Sequence, residues 1–345
     1  MTTVSRNTSA LLLGFVATAF ASSLQAATPQ PSLADNYNFV KLDYPGAAVS
    51  YPLSINNKRE IVGVFFDSTG VTHGYFYALG TFTAIDYPGA AQFPGGGTFV
   101  GGLNDRGDMG GTYSDSQGYQ HGFTRLYPDG CSRTDTSPRC QPVFHSIDVP
   151  GAVQTRTIPF ELGYGLGTDA AGINNLQEVV GIFATKGLYS DGFKLSHGQF
   201  TALDDPASSH LPGMGSRVFS INDLGFIAGA YQTQDAPGAR SLSHGFLYTG
   251  LNYVPVQVAG SEKGGFGTQA NGVNIFLDVV GVFSDPQGMF HGFLWAGGQP
   301  FLLDFPGAPY SEAHSINNHG DVTGAYIVDL SGFNYRGFVA YRKDR

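Results

Sequence analysis

The residues best suited to chemistry in this chain are histidines with acids or amides at a fixed distance. His73, His244 and His291 are each followed thirteen residues later by Asp86, Gln257 and Asp304, and His121 heads a similar segment. A histidine within reach of a carboxylate can act as a general base, and several together can hold a metal. Either role needs one constellation in one place. These residues recur at even intervals instead, so they read as cross-strand pairs made once per repeated unit. In one copy Asp191 replaces the histidine and faces Asp204, with Asp205 next to it. Two opposed carboxylates splay into water, share a proton or enclose a cation. No Asp-x-Asp-x-Asp-Gly loop supports a calcium site, so neither a metal nor a cofactor is expected. Gly-x-Ser-x-Gly, His-Glu-x-x-His and the glycine patterns of nucleotide sites are also absent from the sequence.

Pairs of this kind must be held by strands, and residues 54–88 show how. The segment carries the end of one strand (54–56), an apolar run (61–66), a third strand (73–77) and a fourth (82–87), separated by polar and glycine-bearing turns. Short links of this kind predict an antiparallel meander. The unit recurs six times, because a glycine follows an asparagine by seven residues at Asn56/Gly63, Asn104/Gly111, Asn174/Gly181, Asn222/Gly229, Asn274/Gly281 and Asn317/Gly324. The asparagines read as turn residues whose side chains bond nearby backbone.

The first copy of the fourth strand, 38–46, has no strands before it, while the last unit stops after three. The two ends complete one unit between them. The expected fold is therefore an all-β, six-bladed β-propeller of four-stranded antiparallel blades, closed by the N-terminal strand completing the C-terminal blade. Arg336 heads the incomplete unit, and the same counting sets it against Asp43.

The segments 172–183 (GINNLQEVVGIF), 315–326 (SINNHGDVTGAY), 244–248 (HGFLY) and 291–295 (HGFLW) resemble HAF-type bacterial extracellular repeat proteins. The resemblance covers nearly all of the chain after its N-terminal segment. It implies export and a repeat architecture, and it assigns no activity.

Residues 1–26 read as a signal peptide, with Arg6 ahead of a short apolar run and small residues near Ala26. Residues 27–37 form a polar leader, and 38–345 a single propeller domain with an insertion at 127–143. The expected location is secreted or periplasmic. Cys131 and Cys140, the two cysteines of the chain, lie in that insertion and are expected to pair. With 13% charged residues and a net charge of -9, no basic face is available for nucleic acid. No integral membrane segment is expected after signal removal, and the chain is expected to be a monomer.

Non-recurring residues point to function better than the repeat does. Long loops at 91–102, 153–172, 207–218, 232–243 and 261–272 emerge at one end of the ring. Arg156, Glu161, Tyr164, His210, Arg217, Arg240 and Tyr310 are the polar and aromatic residues there that do not recur by unit. They are the candidate contacts for a carbohydrate or protein ligand of a non-catalytic binding module. The alternative is a secreted hydrolase or lyase with its site in the same rim or channel.

Overall fold

A computed structural model describes residues 31–154, 167–234, 241–329 and 335–343. Among these residues the strands form six four-stranded antiparallel sheets arranged as a six-bladed β-propeller. The first blade runs Val49–Ile55, Ile61–Phe66, Thr72–Ala78 and Thr81–Ile85 from the axis outward. The inner strands of the other five are Thr98–Leu103, Thr168–Ile173, Ser216–Ile221, Thr268–Val273 and Tyr310–Ile316. The sixth sheet is composite. Its order is Tyr310–Ile316, Val322–Ile327, Tyr335–Arg342 and then Tyr37–Lys41 from the N-terminal side, with Phe39 opposite Ala340. No helix among the described residues is long and apolar enough to cross a membrane.

Each second strand is packed between neighbouring blades, and Ile61–Phe66, Val179–Ala184 and Val279–Ser284 are apolar on both faces over most of their length. In Ile61–Phe66 every residue but the last is buried, and Val62 packs with Phe76 against Val100 of the next blade. The recurrent glycine sits in this strand because the third-strand aromatic lies over it. A Cβ at Gly63 would fall 2.0 Å from the Tyr51 carbonyl oxygen and 2.7 Å from the Tyr75 ring.

The six asparagines do more than cap their own turns. Each Oδ1 accepts the backbone N–H groups two and four residues on, as Asn56 does from Lys58 and Glu60. Each Nδ2 also donates to the backbone of the next blade's asparagine. The series runs Asn56 to Asn104 (3.0 Å), Asn104 to Asn174 (3.0 Å), Asn174 to Asn222 (3.1 Å), Asn222 to Asn274 (2.8 Å), Asn274 to Asn317 (3.3 Å) and Asn317 to Asn56 (3.0 Å). The bonds make a closed hoop at one mouth of the axial channel. The following residues add a second layer, such as Asn318 N to Asn57 Oδ1 and Asn57 N to Asp105 Oδ1, both 2.8 Å.

Near the seam, Asp43 Oδ1 accepts the Gly337 N–H at 3.0 Å, the bond that Asp304 takes from Gly292 in the fifth blade. Among the described residues no ion pair joins Asp43 to Arg336, so the expected contact is replaced by a backbone bond. The outer strand of this blade starts at Tyr37, one residue into the expected leader. Residues ahead of it are also engaged, since the Leu33 N–H donates to Leu302 O and the Leu302 N–H to Pro31 O, both at 2.9 Å.

Cys131 and Cys140 form a disulfide inside the insertion. The loop it closes reaches back over the first blade, where Arg133 bonds Glu60 through Nε at 2.8 Å and lies over the Phe76 ring. In the first and third blades the third residue after the asparagine reaches the preceding blade, Arg59 Nε bonding Asp321 at 2.8 Å and Gln177 bonding Asp108 at 3.0 Å. In the second blade that residue is Gly107, and Arg133 supplies the missing side chain.

Candidate ligand-binding channel

Each inner strand enters the axis from the long-loop rim and ends at the asparagine hoop, so its first half lines the wide mouth. All six carry a β-bulge there, for example between Pro52 and Ser54. The residue just before each asparagine is Ile, Leu or Val: Ile55, Leu103, Ile173, Ile221, Val273 and Ile316. These form an apolar collar above the hoop. Above the collar the repeat breaks down. Five residues before the asparagines stand Tyr51, Phe99, Asp169, Arg217, Gln269 and Glu312, and three before them Leu53, Gly101, Ala171, Phe219, Asn271 and His314.

Most of these residues line a cavity of about 290 Å³ on the axis, together with Tyr310 and Tyr335. Its wall is uneven. Tyr51, Leu53 and Phe99 make the first two blades apolar, while the third, fifth and sixth contribute Asp169, Gln269, Asn271, Glu312 and His314. Tyr335 ties the aromatic side together, with ring centroids 5.3 Å from Tyr51 and 5.5 Å from Tyr310.

The polar groups are fixed by bonds to the scaffold. Gln269 Nε2 donates to Asn271 Oδ1 at 2.8 Å, and Asn271 Nδ2 to Ala313 O at 2.9 Å. His314 Nδ1 lies 2.8 Å from Pro52 O and its Nε2 3.2 Å from Glu312, whose other oxygen accepts the Tyr310 hydroxyl at 3.3 Å. Burial opposes a charge on His314. The Glu312 carboxylate and the Pro52 carbonyl outweigh it, so the imidazole titrates above its usual value. Across the ring Asp169 Oδ1 accepts the Thr112 hydroxyl at 2.5 Å. Burial pushes its carboxyl up to about 6, against the pull of that hydrogen bond.

Of the residues singled out in the sequence, Tyr310 lies in this cavity wall. Arg217 occupies the same tier but is buried with Nη2 donating to Gly213 O at 3.2 Å and Nε facing Ser190 Oγ, so it braces the rim loop. His210 stands outside the channel, on the outer part of the third blade. Arg156, Glu161, Tyr164 and Arg240 lie outside the described residues. Asp169, Gln269, Asn271, Glu312 and His314 were not singled out in the sequence. The available signal was their failure to recur at two strand positions where each unit carries a different residue.

The repeated histidines are cross-strand pairs. His73 Nδ1 is 3.0 Å from Asp86, His121 Nδ1 2.9 Å from Asp148 and His291 Nδ1 2.7 Å from Asp304. Each also has a turn aspartate near Nε2, at Asp67, Asp115 and Asp285. The pair with Asp148 spans the disulfide insertion and so escapes the thirteen-residue count. His244 differs, since its Nε2 meets Thr233 Oγ1 at 2.8 Å while Gln257 donates to Ser261.

In the third blade His210 takes the repeat histidine's place beside Asp204, with Nε2 2.7 Å from Oδ2, and the Ser216 hydroxyl donates to Oδ1 at 2.7 Å. With Asp191 they bring three potential ligand atoms within 4.8 Å of one another. Burial, and then the Asp204 charge, push the Asp191 carboxyl up to about 6. Its folded form therefore favours the proton, so stability is fully present below the unfolded value of about 4 and is lost as pH rises through 6. Asp191→Asn is expected to raise the melting temperature at pH 7.5 and to change it little at pH 4. A variant less stable at pH 7.5 would mean that the charged carboxylate has a partner, such as a cation.

The fold and site thus define a six-bladed β-propeller with one mouth ringed by hydrogen bonds and the other opening on a small, irregular cavity. No family model matches the chain, and no curated protein matches its sequence. Among solved structures it is similar to AofleA from Arthrobotrys oligospora, with 12% identity over 89% of this chain and 90% of that one and a TM-score of 0.52. It is also similar to the Aleuria aurantia lectin, described as a six-bladed β-propeller with a novel fucose recognition mode (12% identity, 90% and 96% coverage, TM-score 0.39). A third is a putative oxidoreductase (glucose dehydrogenase) from Thermus thermophilus (10% identity, 88% and 99% coverage, TM-score 0.45). At these identities the likeness is one of fold.

Proposed function

We propose that the protein is an exported, non-catalytic binding module that takes a small carbohydrate, such as a terminal sugar, in the wide mouth of its channel. The observation that carries this reading is the wall of the axial cavity. Its aromatic faces suit the C–H face of a sugar ring, and the amide, carboxylate and imidazole groups set among them suit its hydroxyls. Its size is at the lower end of small-molecule sites, which fits one end of a glycan better than its length. Export is supported by the signal-like residues 1–26 and by the disulfide, which suits an oxidising compartment. The kinship with HAF-type extracellular repeat proteins, and action as a monomer, belong to the same reading.

A secreted hydrolase is the second reading. It is favoured by one observation, a carboxyl of raised pKa at Asp169 in the same cavity as the Glu312–His314 pair. Glycan-array binding followed by calorimetry on Asn271→Ala and Tyr310→Ala tests the first reading. Each variant is expected to weaken binding by about tenfold or more, as loss of a desolvated hydrogen bond or ring contact does. Binding that survives both changes but is lost in His210→Ala would move the site to the loop rim. Turnover of a glycoside panel that disappears in Glu312→Gln would favour the hydrolase.

A further inference from the structure

We infer that the ligand is cationic: the geometry assigns Asp169 as the seat for a protonated amine, so the channel takes an amino sugar in preference to a neutral or acidic one. This rests on the channel being the binding site. Among the described residues the charges around the cavity do not cancel, and the excess is local. Glu312 is matched by His314 at 3.2 Å, whose other nitrogen is held by Pro52 O. Arg217, the one cation in the upper tier of the wall, is turned onto Gly213 O and Ser190 and does not line the cavity. Among the described residues Asp169 has no such match. Among the described residues its recorded partner is the Thr112 hydroxyl on one oxygen, and the half-buried carboxylate forms part of the cavity wall.

A partly desolvated carboxylate without a counter-ion is costly, and a ligand ammonium would remove that cost while gaining a charge-assisted hydrogen bond. The rest of the wall fits the same ligand. Phe99 stands on the adjacent blade at the same level as Asp169, with Tyr51, Tyr310 and Tyr335 completing the aromatic side. Aromatic faces attract a cation, most strongly when water is excluded. An acidic sugar would meet Asp169 and Glu312 with like charge.

Calorimetry on the full chain at pH 7, with methyl glucosaminide, methyl N-acetylglucosaminide, methyl glucoside and methyl glucuronide, separates the possibilities. The glucosaminide is expected to bind about tenfold tighter than the N-acetylated and neutral sugars, with the glucuronide weakest. Asp169→Asn, which keeps the shape and a bond to Thr112, is expected to collapse the ratio of amine to neutral affinity to near one. Thr112→Val should shrink the same ratio less. Neutral or N-acetylated sugar bound as tightly as the amine by the wild type overturns the cationic assignment and leaves the carbohydrate reading standing. An amine preference that persists in Asp169→Asn also overturns it. If none of the four sugars binds, both the assignment and the reading beneath it fail.

Discussion

A chain shortened from its N-terminus through Tyr44 will not hold the ring. The cut removes the outer strand Tyr37–Lys41 with Leu42, Asp43 and Tyr44, and so leaves Tyr335–Arg342 as an unpaired edge. The packing lost is as large as the pairing. Tyr37 and Leu42 are 3% and 4% exposed, Tyr44 stacks on Phe65 with ring centroids 3.7 Å apart, and Phe39 packs against Phe305 and Phe338. Fully burying a side chain of this size stabilises by roughly 1.5 to 3 kcal/mol, and with Phe39 and Tyr44 only partly buried the four together approach about 5 to 10 kcal/mol, much of the stability of an ordinary domain. The exposed strand carries Val339 and Ala340 from the core, and an apolar edge of this kind pairs with other chains. The expected result is oligomers or insoluble protein by light scattering, with no cooperative melt. A monodisperse monomer that melts within a few degrees of the full chain would refute the closed sixth blade.

Gly181→Ala is expected to be the most damaging single methyl in the structure. A Cβ there would lie 1.8 Å from the Asp169 carbonyl oxygen and 2.9 Å from the Phe193 ring. Neither can withdraw, because Asp169 O belongs to the inner strand and Phe193 is fully buried. Overpacking against such neighbours costs about 3 kcal/mol or more. Gly198 makes the contrast. At φ +77° with nothing within 4 Å, it should lose only about 1 to 2 kcal/mol on the same change, through backbone strain. Urea midpoints of the two variants give the comparison. Equal losses would mean that the inner and second strands are not pressed together as described. Because the clash falls on the backbone of Asp169, Gly181→Ala should also weaken binding in the channel beyond what its stability predicts.

The fold was legible because its constraints repeat. An asparagine must close every turn and bond the next blade, and a glycine must sit under every third-strand aromatic, so both spacings survive in six copies. The channel was not legible for the converse reason. Nothing in the scaffold dictates the residues three and five before the asparagine, so Asp169, Gln269 and His314 read as scatter between repeat marks. The bulge in each inner strand hid them further. It interrupts the two-residue alternation from which a strand's inward face is read, so the channel-facing positions do not follow a simple period. Non-recurring residues at the loop rim have scaffold roles, since Arg217 braces a loop and His210 serves a pair. Of the three candidates among the described residues, Tyr310 lies in the wall. His121 shows a related limit, since the disulfide insertion stretches its count to Asp148 while leaving the pair intact.

The asparagine hoop also bears on how such a protein can change. The bonds that hold the ring together lie at one end of each inner strand, and the varied residues of the cavity wall lie at the other. Each blade therefore offers two nearly independent addresses on the channel wall. A substitution at one of them alters the wall within a single blade while the hoop beneath stays bonded. New specificities can then accumulate one blade at a time without a fresh solution to folding. The irregular tier of Tyr, Phe, Asp, Arg, Gln and Glu over a uniform collar of Ile, Leu and Val shows that the scaffold accepts a different residue on every blade at the first level and not at the second.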